Sequence, residues 1–104
     1  MTQTSVFVKL TAKPGKRDEV IENLERMLPT VKEEAGTLVY SFHRDAANED
    51  VVWVFELYTD GDALGVHAGS PAMAELIGSF GDILGAPVEM SLATPTADGK
   101  GLPR

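Results

Sequence analysis

A chain of 104 residues has room for one domain, so any site lies in one small cavity or between copies. With 43% hydrophobic and 24% charged residues it has the composition of a folded globular protein, and the lack of cysteine excludes disulfides, thiolate nucleophiles, zinc ribbons and iron–sulfur clusters. A net charge of −7 with nine dispersed basic residues argues against nucleic acid or an anionic membrane as partner. Met1 to Ser5 contain neither a basic region nor an apolar run, and no segment approaches the ~18 apolar residues of a membrane span, so a cytoplasmic location is the expectation.

Residues 5 to 12 are rich in β-branched and aromatic types and read as a strand, stopped by Pro14-Gly15. From Lys16 the apolar positions Val20, Ile21, Leu24, Met27, Leu28 and Val31 recur at helical spacing, and Gly36 follows Ala35 as a C-terminal stop. One amphipathic helix, bent at Pro29, is expected here. Its terminal charges, Lys16 and Arg17 at the start and Glu33 and Glu34 at the end, oppose the helix dipole, so packing has to hold it. Residues 37 to 44 and 51 to 58 form two strands joined by a polar hairpin connection, Asp45 to Asp50. Asp60 caps a short helix through Ala68, and Ser70-Pro71 opens another carrying Met73, Leu76, Ile77, Phe80, Ile83 and Leu84 on its apolar side. A last strand spans 87 to 93, and a polar tail expected to be mobile runs from Thr94 to Arg104. The order βαββαβ is the ferredoxin-like α+β arrangement, in a single domain over residues 1 to 93.

The strands do not alternate cleanly between apolar and polar, as an antiparallel sheet with one wet face should. Both faces need cover, and two helical segments cover one, so a homodimer across the other is expected. In the third strand the bulky set Val51, Trp53, Phe55 and Leu57 suits the helix-packed core. That leaves Val54, Glu56 and Tyr58 on the helix-free face, joined from the second strand by Val39, Ser41 and His43. An apolar floor with a carboxylate, an imidazole and a phenol suits a hydrophobic small molecule oriented by a few polar contacts. Each group also has a structural reading. His43 is a solvated strand-end histidine or a pocket residue, and His67 bonds helix-terminal carbonyls or borders the pocket. Glu56 is an ion-pair partner or a pocket base, while Trp53 and Tyr40 are core aromatics or stacking surfaces. The motifs HExxH, GxGxxG and GxSxG and a P-loop are missing, and two histidines 23 positions apart make a poor metal site.

Three stretches, taken with the turn Lys13-Pro14-Gly15-Lys16, resemble the antibiotic biosynthesis monooxygenase family over residues 5 to 92. They are Pro29 to Tyr40 with its Gly36 turn, Val52 to Tyr58 ending in Glu56-Leu57-Tyr58, and Leu64-Gly65-Val66-His67-Ala68-Gly69-Ser70-Pro71. The likeness is closest to small proteins assigned as quinol monooxygenases. It implies ferredoxin-like dimers whose sheets pack into a shared barrel, and oxidation of aromatic quinols or phenols by dioxygen with no metal or flavin cofactor. Deprotonating an electron-rich phenol yields an anion that reduces dioxygen directly, so such a protein supplies a dry cavity, a base and hydrogen-bond donors. On this resemblance His67, His43 and Glu56 are the candidate proton-transfer groups. Tyr58 is an aromatic wall, with Val54, Val39, Ser41 and Trp53 as further substrate contacts. Val54 departs from the asparagine of polyketide-oxidising members. Haem-degrading relatives imply an axial histidine near Ile77 and an asparagine near Val8, and this chain has neither. Other functions with the same cavity are a non-catalytic dimeric module that binds a small molecule, and an isomerase or decarboxylase working without oxygen.

Overall fold

The strands that periodicity marks out pair into one antiparallel sheet in the computed structural model, which describes residues 2–96 and 99–103. The elements are β1 (Thr4–Thr11), α1 (Arg17–Glu25), α2 (Leu28–Glu33), β2 (Thr37–Arg44), β3 (Val51–Tyr58), α3 (Gly61–Ala68), α4 (Pro71–Ser79) and β4 (Glu89–Ala93). The sheet order β2-β3-β1-β4 makes this the ferredoxin-like α+β fold. The expected strands over 87 to 93 and 5 to 12 shift by a residue or two at their ends.

The expected long helix is two helices. α1 ends where the Arg26 N–H donates to the Asn23 carbonyl and the Met27 N–H to the Leu24 carbonyl, and α2 restarts with Pro29 in its first turn, where a missing N–H costs nothing. Pro29 therefore stands at a helix start rather than at a bend. Asp18 and Glu19 in the first turn of α1 favour the dipole that Lys16 opposes. Arg17 turns away from α1, donating to the carbonyls of Asp45 (3.3 Å) and Asn48 (3.2 Å) in the β2–β3 connection. α3 and α4 start as their sequences predict: Asp60 accepts from the Ala63 N–H and Ser70 from the Met73 N–H. α4 ends at Ser79, so Ile83 and Leu84 lie beyond it, and Ile77 points to solvent.

The register decides which residues face the helices. Val6, Val8 and Leu10 of β1 stand opposite Glu56, Val54 and Val52 of β3, and Tyr40 and Phe42 of β2 stand opposite Glu56 and Val54. This set packs against Val20, Ile21, Leu24, Met27, Val31, Leu76 and Phe80 from the helices. Val54, Glu56 and Tyr58 thus face the helix layer, and Trp53 and Phe55 face the helix-free side, the reverse of the sequence expectation for β3. Val39, Ser41 and His43 do lie on the helix-free side, paired with Leu57, Phe55 and Trp53. Side-chain size misleads here because Trp53 has its own partners outside the core. Its indole N–H donates to Asp45 Oδ1 at 2.7 Å, and Lys9 Nζ lies 5.8 Å from its ring centre. That indole bond, followed by the Asn48 and Ala47 amides, holds the Asp45 carboxyl down at about 2.

The helix-free side is apolar at its centre. The Phe7 and Phe55 rings lie 5.3 Å apart, and Phe7 and Trp53 are 47% and 39% exposed. On the helix side of the β4 edge, Met90 and Leu92 are exposed beside the covered Val8 and Val6. Of the tail expected to be mobile, residues 97, 98 and 104 lie outside the described residues, as does Met1. Pro103 returns to the start of β1, where its carbonyl accepts from Gln3 Nε2 at 2.6 Å. Among the described residues no helix is long and apolar enough to cross a membrane.

Val54→Asp tests the register. A carboxylate set between Val8 and Phe42 under the helix layer is expected to cost on the order of several kcal/mol, read as a lower denaturation midpoint. An unchanged midpoint would put this position on the other face.

Candidate active site

Where β2 and β3 meet the layer of α2 and α3, four polar side chains converge in the core. Tyr40 and Glu56 are paired neighbours on the helix-facing side of the sheet, and Tyr58, two residues further along β3, shares that face. α3 lies above them. Its inward positions Ala63, Leu64 and His67 follow helical spacing, and His67 is 1% exposed. Glu34, the C-cap of α2, enters from the side on the short link to β2.

His67 stands between two carboxylates. Its Nδ1 lies 2.9 Å from Glu34 Oε1, and its Nε2 lies 3.9 Å from Glu56 Oε1, beyond hydrogen-bond reach. Nε2 is buried with no hydrogen-bond partner. Thr37 Oγ1 donates to Glu34 Oε1 at 3.0 Å, and the Tyr58 hydroxyl donates to Glu56 Oε1 at 2.5 Å. The rings of Tyr40 and Tyr58 flank the imidazole, with centres 5.0 and 5.5 Å away.

Burial pushes the Glu56 carboxyl above its ordinary value, against the opposing pull of the Tyr58 hydrogen bond and the His67 charge. The Tyr58 and Tyr40 hydroxyls are pushed up too, first by burial and then by the carboxylates beside them. Both phenols are therefore donors at any working pH, and Glu56 is the acceptor that Tyr58 satisfies. The two carboxylates address opposite nitrogens of one ring and so do not converge on a common point. Accordingly, no group of three or more acidic or histidine side chains among the described residues is placed to hold a metal ion.

Two local devices set this geometry. Ser70 Oγ donates to the His67 carbonyl at 2.9 Å and also caps α4, which fixes the end of α3. Gly36 lets the Glu34–Thr37 link press against α3, because a Cβ there would meet the Ala63 Cβ at 2.5 Å. The Thr59 N–H donates to the Gly36 carbonyl at 2.9 Å and ties the same link to the end of β3.

Of the sequence candidates, the structure brings His67, Glu56 and Tyr58 together, with Val54 in the same core layer. His43 is exposed on the opposite face of the sheet, 2.9 Å from Ser41 Oγ through its Nε2, and shares nothing with the cluster. Ser41, Val39 and Trp53 lie on that face too. Glu34 and Thr37 are members that sequence reading missed, and Tyr40, read as a core or stacking aromatic, borders the imidazole. The signal for Glu34 was its position, an acid at a helix C-terminus where the dipole disfavours it. A cleft between α1 and α4, bordered by Asn23, Arg26 and Glu75, holds none of these groups.

Residues 4–78 match the sequence pattern of the antibiotic biosynthesis monooxygenase family. The chain belongs to that family. Solved structures with the same fold include PA3566 from Pseudomonas aeruginosa, 22% identical, with a TM-score of 0.84 over 93% of this chain and 97% of that one. Rv0793 from Mycobacterium tuberculosis is 24% identical, with a TM-score of 0.85 over 93% and 98% of the two chains. A Caulobacter crescentus CB15 protein named for the same family is 26% identical, with a TM-score of 0.86 over 91% of each. No curated protein matches the chain. Glu56 and Tyr58 at the end of the third strand and His67 before Ser70-Pro71, positions on which the sequence resemblance rests, meet in space around one imidazole.

Two outcomes follow for this family member. Because the folded state holds the Glu56 proton to higher pH than the unfolded chain, the stabilisation from this group is complete below the unfolded value of 4.5 and is lost as pH rises through the folded value. Glu56→Gln, a mimic of the protonated acid, should therefore gain stability relative to the parent as pH rises from 4.5 toward neutrality in denaturant titrations. A difference that shrinks with pH would contradict the assigned shift. Gly36→Ala should cost roughly 1–3 kcal/mol by forcing the link off α3. A melting temperature equal to the parent's would show that the close approach to Ala63 relaxes freely.

Proposed function

We propose that this protein is a cofactor-independent monooxygenase that oxidises an aromatic quinol or phenol, with His67 as the base. The observation that carries the reading is the buried, unpartnered Nε2 of His67 in an aromatic, water-poor surrounding. A phenolic O–H is a donor that suits this nitrogen, and Tyr40 and Tyr58 offer ring faces to an aromatic substrate. Removing the proton leaves an electron-rich anion that dioxygen oxidises. One oxygen atom enters the ring and the other leaves as water, so a quinol and dioxygen become a hydroxyquinone and water, with atoms and electrons balanced. Membership of a family that includes monooxygenases supports the reaction class.

Access to Nε2 in this reading requires a movement of α3, the eight-residue helix that covers the ring and carries glycines at 61 and 65. The protein works as a homodimer in this reading, because Phe7, Phe55 and Trp53 form an exposed apolar face that a second copy would cover.

Oxygen uptake with a panel of naphthoquinols and anthrones tests the activity. Uptake should depend on the protein and fall roughly 10²- to 10⁴-fold in His67→Ala, while His43→Ala keeps the parental rate. Binding of these compounds without uptake would favour a non-catalytic binding module, and turnover without oxygen would favour an isomerase or decarboxylase. Sedimentation should give twice the chain mass, and a monomer at micromolar concentration would remove the dimer from the account.

A further inference from the structure

We propose that Glu34 is a positioning residue that fixes the tautomer of His67, holding the proton on Nδ1 and leaving Nε2 as the lone-pair acceptor. A neutral imidazole carries one N–H, and which nitrogen bears it follows from the hydrogen bond each can make. An ionised carboxylate only accepts, so at 2.9 Å from Nδ1 the Glu34 oxygen requires a proton on that nitrogen. Thr37 strengthens the assignment: its hydroxyl donates to the same Glu34 oxygen, which keeps that oxygen in the accepting role.

The far side of the ring leads to the same tautomer. Nε2 has no partner, and the nearest oxygen, Glu56 Oε1 at 3.9 Å, already receives the Tyr58 hydroxyl. A proton on Nε2 would be a buried donor without an acceptor, while Nδ1 would turn a lone pair toward a carboxylate, and both arrangements cost free energy. The opposite tautomer avoids both and leaves an unpartnered acceptor, which buried surroundings tolerate better than an unpartnered donor. Glu34 reaches His67 across 33 positions of chain, from the end of one helix to the last turn of another. The close packing of Gly36 on Ala63 sets that reach.

The role of Nε2 as a base toward substrate rests on the function proposed above, whereas the tautomer itself does not. Long-range proton–nitrogen spectra of protein labelled in its two histidines, recorded at alkaline pH with His43→Gln to assign the signals, read the tautomer directly. The parent should show a protonated Nδ1 and a pyridine-type Nε2 for His67. Glu34→Leu, close in volume but with no acceptor, should let the proton move to Nε2, and Glu34→Asp should retain the parental tautomer in part. In quinol turnover Glu34→Leu should lower kcat by roughly 10²- to 10⁴-fold with KM little changed, the pattern of a misoriented base. Thermal unfolding of each variant confirms that the spectra come from folded protein. A parental His67 protonated on Nε2, or a tautomer that Glu34→Leu leaves untouched, would overturn the assignment. Should the spectra behave as expected while no quinol or phenol is consumed, the positioning role stands and the monooxygenase reading fails.

Discussion

Two carboxylates facing the two nitrogens of one imidazole form the constraint around which this small fold is arranged. Between Arg44 and Lys100 the sequence has no lysine or arginine, so His67 is the only side chain of that stretch able to carry positive charge. Among the described residues neither Glu34 nor Glu56 pairs with a lysine or arginine; their oxygens face the ring and hydroxyl donors. Buried carboxylates in that position are costly unless the donors are well placed, which gives Thr37, Tyr58 and the turns of α3 a shared task. The close approach at Gly36, the Asp60 cap and the Ser70 bond to the His67 carbonyl each bear on where α3 sits, and hence on where the ring sits.

The sheet separates this cluster from a second surface of different character. Along β3, adjacent residues serve opposite faces: Glu56 lies beneath the helices, and Phe55 meets Phe7 on the helix-free side. In a strand this alternation is unavoidable, so the apolar character of both parities reflects two separate needs. One parity fills the core and carries the acid; the other makes an aromatic surface that water covers poorly.

Much of the fold was legible because its signals are local. Strand periodicity, the Asp60 and Ser70 caps and the Pro-Gly stop depend on residues a few positions apart. Glu56 was legible as well, since an acid flanked by Phe55 and Leu57 is an anomaly in its own strand. The parity of β3 was not, because choosing a side requires knowing that Trp53 finds Asp45 and Lys9 outside the core. For β2 the same kind of reasoning chose the right face, as no partner outside the core competed for Tyr40 or Phe42. Glu34 carried only a warning, an acid at an unfavourable helix end, and its partner lies on a different helix. His43 resembled His67 in composition alone, and only the sheet register separates them.

The charge of the cluster bears on which molecules such a site would accept. On the proposed function, a space opened between Glu34, Glu56 and the Tyr40 and Tyr58 phenols would repel a substrate already ionised, so a neutral phenol would enter in preference to a phenolate or carboxylate. In that reading the phenol would meet Nε2 of His67, the ring that stands between Glu34 and Glu56. An anion formed there would be raised in energy by the same carboxylates and the low-dielectric surroundings. Under the proposed function, proton transfer and activation toward dioxygen would be linked through one electrostatic arrangement, because a substrate anion raised in energy beside these carboxylates is a better reductant of dioxygen.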